Sequence, residues 1–220
     1  MLVGQLFFDG LATGLVFVIL ATGLVLITSV SKILFMAYGM FYTIGAYTTW
    51  YVMKTLSFPY VAALVVAILA TGILGALVYL LVFRRLQKIP GVFMSTLIAS
   101  IGLMMFLNQA NLLVFGTSPR SIPSVFRGNL TISGVGMPIG KLALIVIGVF
   151  VCMLLFFVYE KTGLGRSMRA VSFLPETAAL QGINASRVYM VTIGVGTALA
   201  GIAGGLIAPT YGMSTSMGSN

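Results

Sequence analysis

Few side chains in this sequence can do chemistry. Its 220 residues hold twelve Lys and Arg, three Asp and Glu, one cysteine and no histidine. Without histidine, haem ligation by paired histidines, histidine-centred zinc sites and Ser-His catalysis are excluded. The acids Asp9, Glu160 and Glu176 stand far apart in the chain, and no ionisable groups converge, which argues against an enzyme. Cys152 lies inside an apolar run, where one thiol makes no intramolecular disulfide and no metal site and reads as a packing residue. The nearest approach to a phosphate loop, Gly134 to Leu142, fails twice. Its two glycines stand one residue too far apart, and Leu142 replaces the Ser or Thr that would hold magnesium. Any energy for pumping must therefore come from another subunit.

The elements that hold these residues are set by composition. Hydrophobic residues make up 60% and charged residues 7%, against about 25% charged in a soluble domain, and the mean hydropathy is +1.13. Most of the chain must have lipid as its solvent. A net charge of +9 would suggest nucleic acid in a soluble protein. Here the basic residues sit in short gaps between apolar runs, so they report topology and the expectation is no nucleic acid. Six runs approach the ~20 residues a helix needs to cross the hydrocarbon core: Leu6–Thr28, Ile33–Met53, Val61–Phe83, Val92–Phe115, Leu142–Tyr159 and Val188–Ala208. The predicted class is all-α, a polytopic transmembrane helix bundle of about six spans, with residues 1–220 as a single domain. In the second run Gly39 and Gly45 could instead create a re-entrant pair.

Lys32, Arg84, Arg85, Lys88, Lys161, Arg166, Arg169 and Arg187 fall on one side of this arrangement, and Lys54, Arg120, Arg127 and Lys141 on the other. The positive-inside rule makes the first side cytoplasmic and puts the N-terminus outside. No run carries an acid at its middle, where proton- and sodium-coupled carriers keep coupling groups, and none has the Arg-rich pattern of a voltage sensor. Sodium can bind backbone carbonyls, so a stand-alone secondary carrier or channel remains the alternative to a pump subunit, and a non-transporting scaffold is a further one. The sixth run places Gly196, Ala200, Gly204 and Ala208 on one stripe beside Gly201 and Gly205, and the third places Ala63, Ala67, Thr71 and Gly75. Such stripes predict close helix packing. The outer segment 116–141, with Pro119, Pro123 and Pro138, predicts a turn-rich cap without helix.

The inner segment 160–187 is too long for a simple turn. Pro175 followed by Glu176 starts a helix, because proline suits the first helical position and an acid suits the positive end of the dipole. Thr177 to Gln181 continue it and Gly182 stops it. The result is a helix of about two turns at the cytoplasmic face. On its own it could be an amphipathic element that only seals the bundle.

This stretch, Gly-Arg-Ser-Met-Arg-Ala-Val followed by Pro-Glu-Thr-Ala-Ala-Leu-Gln-Gly-Ile-Asn, resembles the coupling loop of the branched-chain amino acid permeases of ABC importers. Gly165, Arg169, Ala170, Pro175, Glu176, Ala178, Ala179, Gly182, Ile183 and Asn184 carry the likeness. Lys32 to Tyr47 is similar to the family's second-span segment, and Val114 to Pro123 to its outer loop. The resemblance implies a permease subunit of the bacterial cytoplasmic (inner) membrane. Its partners would be cytoplasmic ATPase subunits, a second identical or homologous permease, a periplasmic or extracellular solute-binding protein and the lipid bilayer. It implies no cofactor in this chain, with ATP and Mg bound by the partner. It also implies further spans after the sixth, so the chain is expected to be truncated at its C-terminus. Where family members show an Asn-Phe-Ala-His-Gly-Asp/Glu pattern, this chain has Phe35, Tyr38 and Met40 at the polar positions. The expected cargo is a branched-chain amino acid or, given these departures, a related small polar solute such as urea or an amide.

Polar candidates for the pathway are few: Ser95, Thr96, Ser100, Asn108 and Asn111 on the fourth run, with Tyr38, Met40 and Tyr42 on the second. Asn108 and Asn111 share a helix face, although amides in membrane helices often only bond neighbouring helices. Tyr42, Tyr47, Trp50 and Tyr51 approach the outer interface, where an aromatic belt is the expected role.

Overall fold

The computed structural model describes residues 2–87, 92–116, 120, 129–132, 135–215 and 217–218, apart from the side chains of 2–5, 7, 129–139 and 211. Within them lie eight helices and one short hairpin: α1 (Leu2–Ser31), α2 (Tyr38–Thr55), α3 (Tyr60–Leu86), α4 (Val92–Phe115), β1 (Asn129–Ile132), β2 (Val135–Pro138), α5 (Ile139–Lys161), α6 (Gly163–Phe173), α7 (Pro175–Leu180) and α8 (Ala185–Tyr211). The antiparallel hairpin pairs Asn129 with Pro138, and it supplies the helix-free part of the outer cap. Calls that fall on Lys88, Pro119, Pro123 and Arg127 lie outside the described residues.

Five helices, α1, α3, α4, α5 and α8, are long and apolar enough to cross a membrane alone. The sixth run behaves as expected, while the second differs. It is not a helix from Ile33, because residues 32–37 form a non-helical link whose Ile33, Phe35 and Ala37 are fully buried. It is also not broken at Gly39 or Gly45, since α2 runs unbroken from Tyr38 to Thr55. This helix can be shorter and more polar than the others because it packs against α3, α4 and α8 rather than standing in lipid.

The core centres on α8. Some 78% of its span window is buried, against 17% for α4 and for α5, which keep broad apolar faces outward. The glycines explain how α8 can sit so deep. A Cβ on Gly196 would lie 2.5 Å from Ile27 on α1, one on Gly201 2.2 Å from Thr71 on α3, and one on Gly204 2.0 Å from the Tyr42 carbonyl oxygen on α2. Three neighbouring helices therefore press directly onto α8, α2 through its backbone and α1 and α3 through side chains seated on glycine, and such close packing holds helices together where water supplies no hydrophobic drive. The expected stripe on α3 is buried too, at Ala63, Ala67, Thr71 and Gly75.

Tyrosine hydroxyls then close backbone gaps. Pro209 inside α8 has no N–H, so the Gly205 carbonyl four residues earlier lacks its helical partner. The Tyr60 hydroxyl donates to that carbonyl at 3.0 Å. Tyr60→Phe should orphan it and lower stability by about 1–2 kcal/mol, read as a fall in the thermal midpoint of the purified protein. The Tyr38 hydroxyl donates to the Gly196 carbonyl at 3.2 Å. Tyr42 and Tyr47 are buried, not in an interfacial belt, because both lie on faces of α2 that meet other helices. Tyr51 alone of the four is exposed.

The ends of the bundle are distinct. Lys32, Arg84 and Asn184 share one cleft at the end where α1 and α3 finish and α4 and α8 begin. At the opposite end Asp9 pairs with Lys141, tying α1 to α5, and Lys54 and Arg120 lie over the Trp50 ring at 5.0 and 4.2 Å. The alternation of helix directions agrees with the charge count along the chain.

Candidate functional site

The segment between α5 and α8 folds as two helices rather than the one expected. The missed one is α6. Its start was legible in Thr162, whose hydroxyl accepts from Gly165 N–H at 3.3 Å as an N-cap. Gly165, Met168 and Val171 form its buried face against the bundle, while Leu164 and Phe173 point outward. Gly165 must be glycine here, because a Cβ would lie 1.9 Å from the Tyr159 carbonyl oxygen. Arg169 fastens the corner. Its guanidinium donates to the carbonyls of Tyr159 and Glu160 at the end of α5 and lies 5.1 Å over the Tyr159 ring. A cation at a helix C-terminus satisfies the last carbonyls and complements the dipole. Ala170 accepts from Leu174 N–H at 3.3 Å, and Leu174 is extended, which ends α6.

Pro175 opens α7 at the first helical position, as expected. Gly182 closes it with φ +80. Ile183 N–H reaches the Ala178 carbonyl at 3.1 Å, and Gly182 N–H reaches the Ala179 carbonyl at 3.0 Å. This paired closure requires a left-handed residue at Gly182. Asn184 then caps α8, its side chain accepting from Arg187 N–H at 3.2 Å. Ala178 is buried.

Gly165, Arg169, Ala170, Ala178, Gly182 and Asn184 thus each have a job inside the chain. Exposed side chains of the stretch include Leu164, Arg166, Glu176, Thr177, Ala179 and Gln181, and the apolar Phe173, Leu174 and Leu180 are exposed by 81%, 62% and 89%. Among the described residues Glu176 has no ion pair. A rigidly held apolar knob with one carboxylate, at the basic end of the bundle, is a contact surface without a partner inside the chain.

The pathway candidates are divided. The Tyr38 hydroxyl and the Tyr42 carbonyl meet α8, and Met40 is fully buried. Thr96 bonds carbonyls of its own turn, and Ser100 donates to the Leu34 carbonyl at 2.9 Å, clamping α4 to the inner link. Ser95 and Asn108 are half-buried, and Asn111 is buried. At the inner end a cleft of about 560 Å³ opens among Lys32, Arg84, Gln87, Asn184, Ser186 and Tyr189. Above it the Tyr79 hydroxyl donates to Gln87 at 3.0 Å and lies 3.3 Å from the Ser186 hydroxyl. Among the described residues no group of acids and thiols could hold a metal ion.

A charge-poor helical bundle, packed through glycine around one central span and carrying a fixed helical bracket at its basic face, defines a multi-pass membrane protein. More particularly, the chain belongs to the family of permease components of the branched-chain amino acid transport system, whose model matches residues 6–220. It is similar to the high-affinity branched-chain amino acid transport system permease protein BraD of Pseudomonas aeruginosa, with 26% identity covering 93% of this chain and 70% of that protein. It is also similar to the permease protein LivH of Salmonella typhimurium and of Escherichia coli K12, in each case with 27% identity covering 95% of this chain and 71% of the relative. No solved structure matches the chain. It is a multi-pass protein of the bacterial inner membrane, and its family places ATP hydrolysis in a separate subunit.

Proposed function

We propose that this chain forms the translocation path of an ATP-driven importer for branched-chain amino acids or a related small polar solute such as urea or an amide. The α6–α7 bracket docks a cytoplasmic ATPase. A second permease subunit completes the path, and an external binding protein delivers cargo. Residues 1–220 act as one permease domain. Glu176, Ala179, Phe173 and Leu180 make the contact, while Gly165, Arg169, Ala170, Pro175, Ala178, Gly182, Ile183 and Asn184 hold it in shape. The observation that carries this reading is the exposed apolar knob of Phe173, Leu174 and Leu180 on a bracket that Gly165, Arg169, Ala178 and Gly182 fix to the fold. A surface helix that only sealed the bundle would turn Leu180 inward, and it does the reverse.

The test is reconstitution in proteoliposomes with the partner ATPase and binding protein, measuring uptake of labelled leucine and of urea. Uptake should require ATP and both partners. Uptake that persists with neither would identify a stand-alone carrier or channel and end the proposal.

A further inference from the structure

The cleft at the inner end of the bundle gathers cations without an acid to answer them. Its volume of about 560 Å³ suits a small molecule rather than a lone ion, and Lys32, Arg84, Gln87, Ser186, Tyr189 and Val92 line it. Among the described residues no acid lines it, and neither Lys32 nor Arg84 has an ion pair. The Tyr79 hydroxyl donates to the Gln87 side-chain oxygen at 3.0 Å, which leaves the Gln87 amide nitrogen, a donor, to meet a guest. Val92 and Asn184 bring the starts of α4 and α8 to the rim, and the partial positive charge of a helix start adds to that of the two cations. Such a cleft complements an anion.

Lys32 sits there in a strained conformation. It is the first residue past α1, its N–H donates to the Thr28 carbonyl at 3.1 Å, and its φ is +56. Glycine takes this left-handed closing position freely and a residue with a side chain does not. Glycine would therefore end α1 better, and what the lysine adds is its ammonium group at the cleft. The surroundings say which anion fits. The cleft lies where the spans end, at the depth of lipid headgroups. Directly after Val92, Phe93 and Met94 of α4 are exposed by 60% and 63%, and Leu81, three residues before Arg84 on α3, is exposed too. A guest with an anionic head and apolar chains meets donors and apolar surface together, and basic pockets between spans at this depth bind anionic lipid heads. The helix with most to gain is α4, since only 17% of its span window is buried.

We propose that this cleft binds the phosphodiester headgroup of an anionic lipid, whose acyl chains lie along the outward face of α4 and fasten that helix to α1, α3 and α8. A lipid with a zwitterionic head brings its own cation, which Lys32 and Arg84 repel. The site is independent of the solute carried.

The permease–ATPase complex supplies the test, in nanodiscs of phosphatidylcholine alone or of phosphatidylcholine mixed with phosphatidylglycerol. Phosphatidylglycerol should raise the thermal midpoint of the permease by about 2–4 °C. Millimolar inorganic phosphate added to phosphatidylcholine discs should not, which separates a lipid head from a free anion. Lys32→Gly and Arg84→Gln should lose most of the phosphatidylglycerol shift. Lys161→Gln, which removes one exposed charge from the same end of the bundle outside the cleft, should keep it. In phosphatidylcholine alone the Lys32→Gly midpoint should be no lower than that of the parent chain, because glycine relieves the left-handed closure. Absence of the lipid shift, an equal shift with phosphate, or a full shift in either cleft variant overturns the site. So does an equal loss in Lys161→Gln, which would show that charge anywhere on this face suffices. A fall in the Lys32→Gly midpoint in phosphatidylcholine also overturns it, since Lys32 would then be held by a structural partner.

Discussion

Glu176→Lys is expected to reduce ATP-driven uptake at least tenfold while leaving the chain folded in the membrane. Glu176 is exposed, sits in the first turn of α7 and has no ion pair among the described residues. Replacing it removes no contact that the bundle uses. Reversing its charge loses a favourable dipole interaction, worth about 0.3–1 kcal/mol at an exposed helix start, too little to unfold the protein. At a docked interface the same change is far more harmful, since truncating or reversing one partner of a buried charge pair costs about 2–5 kcal/mol. Each 1.4 kcal/mol is roughly tenfold in an equilibrium. The readouts are uptake, ATPase stimulation by loaded binding protein, and the amount of ATPase retained on the permease. Folding is checked by the thermal midpoint, which should move by less than about 3 °C. Undiminished uptake would show that the bracket does not carry the coupling. Gly182→Val makes the contrast: it leaves the exposed face intact but forces a β-branched residue into φ +80, so it should lower both stability and uptake.

The difference between those two substitutions marks where sequence reasoning succeeds. Helix punctuation is local chemistry, so Pro175 at the first position and Gly182 past the last could be read directly, and both stand where expected. The small-residue faces of α3 and α8 were legible for the same reason, because a four-residue spacing leaves little else for glycine to do in a membrane helix. What could not be read was the effect of neighbours. Tyr47 looks like a belt residue by its distance from the end of α2, yet the Phe115 ring covers it. The start of α2 at Tyr38 rather than Ile33 depends on a buried aromatic corner in which Phe35 meets Phe41 and Phe83 at 5.6 and 5.5 Å, a contact made across distant segments. The α6 helix was missed although Leu164, Met168 and Val171 recur at helical spacing, because the segment reads as a loop leading to α7. Its signal was Thr162 three residues before a glycine that touches the α5 backbone, and only the fold shows that touch. Among the pathway candidates, nothing in the sequence distinguished Asn111, whose amide nitrogen is unpaired among the described residues, from Ser100, whose hydroxyl is engaged.

The second large effect concerns the contact on which the whole bundle depends. A Cβ on Gly45 of α2 would lie 2.4 Å from Gly201 Cα and 2.5 Å from the Gly201 carbonyl oxygen on α8. Both are backbone atoms, so no side chain can turn aside; the helices must separate. Overpacking a well-filled core costs about 1–3 kcal/mol even where side chains can adjust, and here the separation would also strain the neighbouring approach of Gly204 to Tyr42, where the gap is as small. Gly45→Ala should therefore lower stability by about 3 kcal/mol, and Gly45→Leu should prevent a folded bundle from forming, seen as loss of a cooperative thermal transition and of monodisperse protein in detergent. The internal control is α1, where a Cβ on Gly10 or Gly14 meets nothing within 4 Å among the described residues. There Gly→Ala removes only the helix penalty of glycine and should be neutral or stabilising by up to about 1 kcal/mol. Equal effects at Gly45 and Gly14 would mean that α2 and α8 do not meet through their backbones.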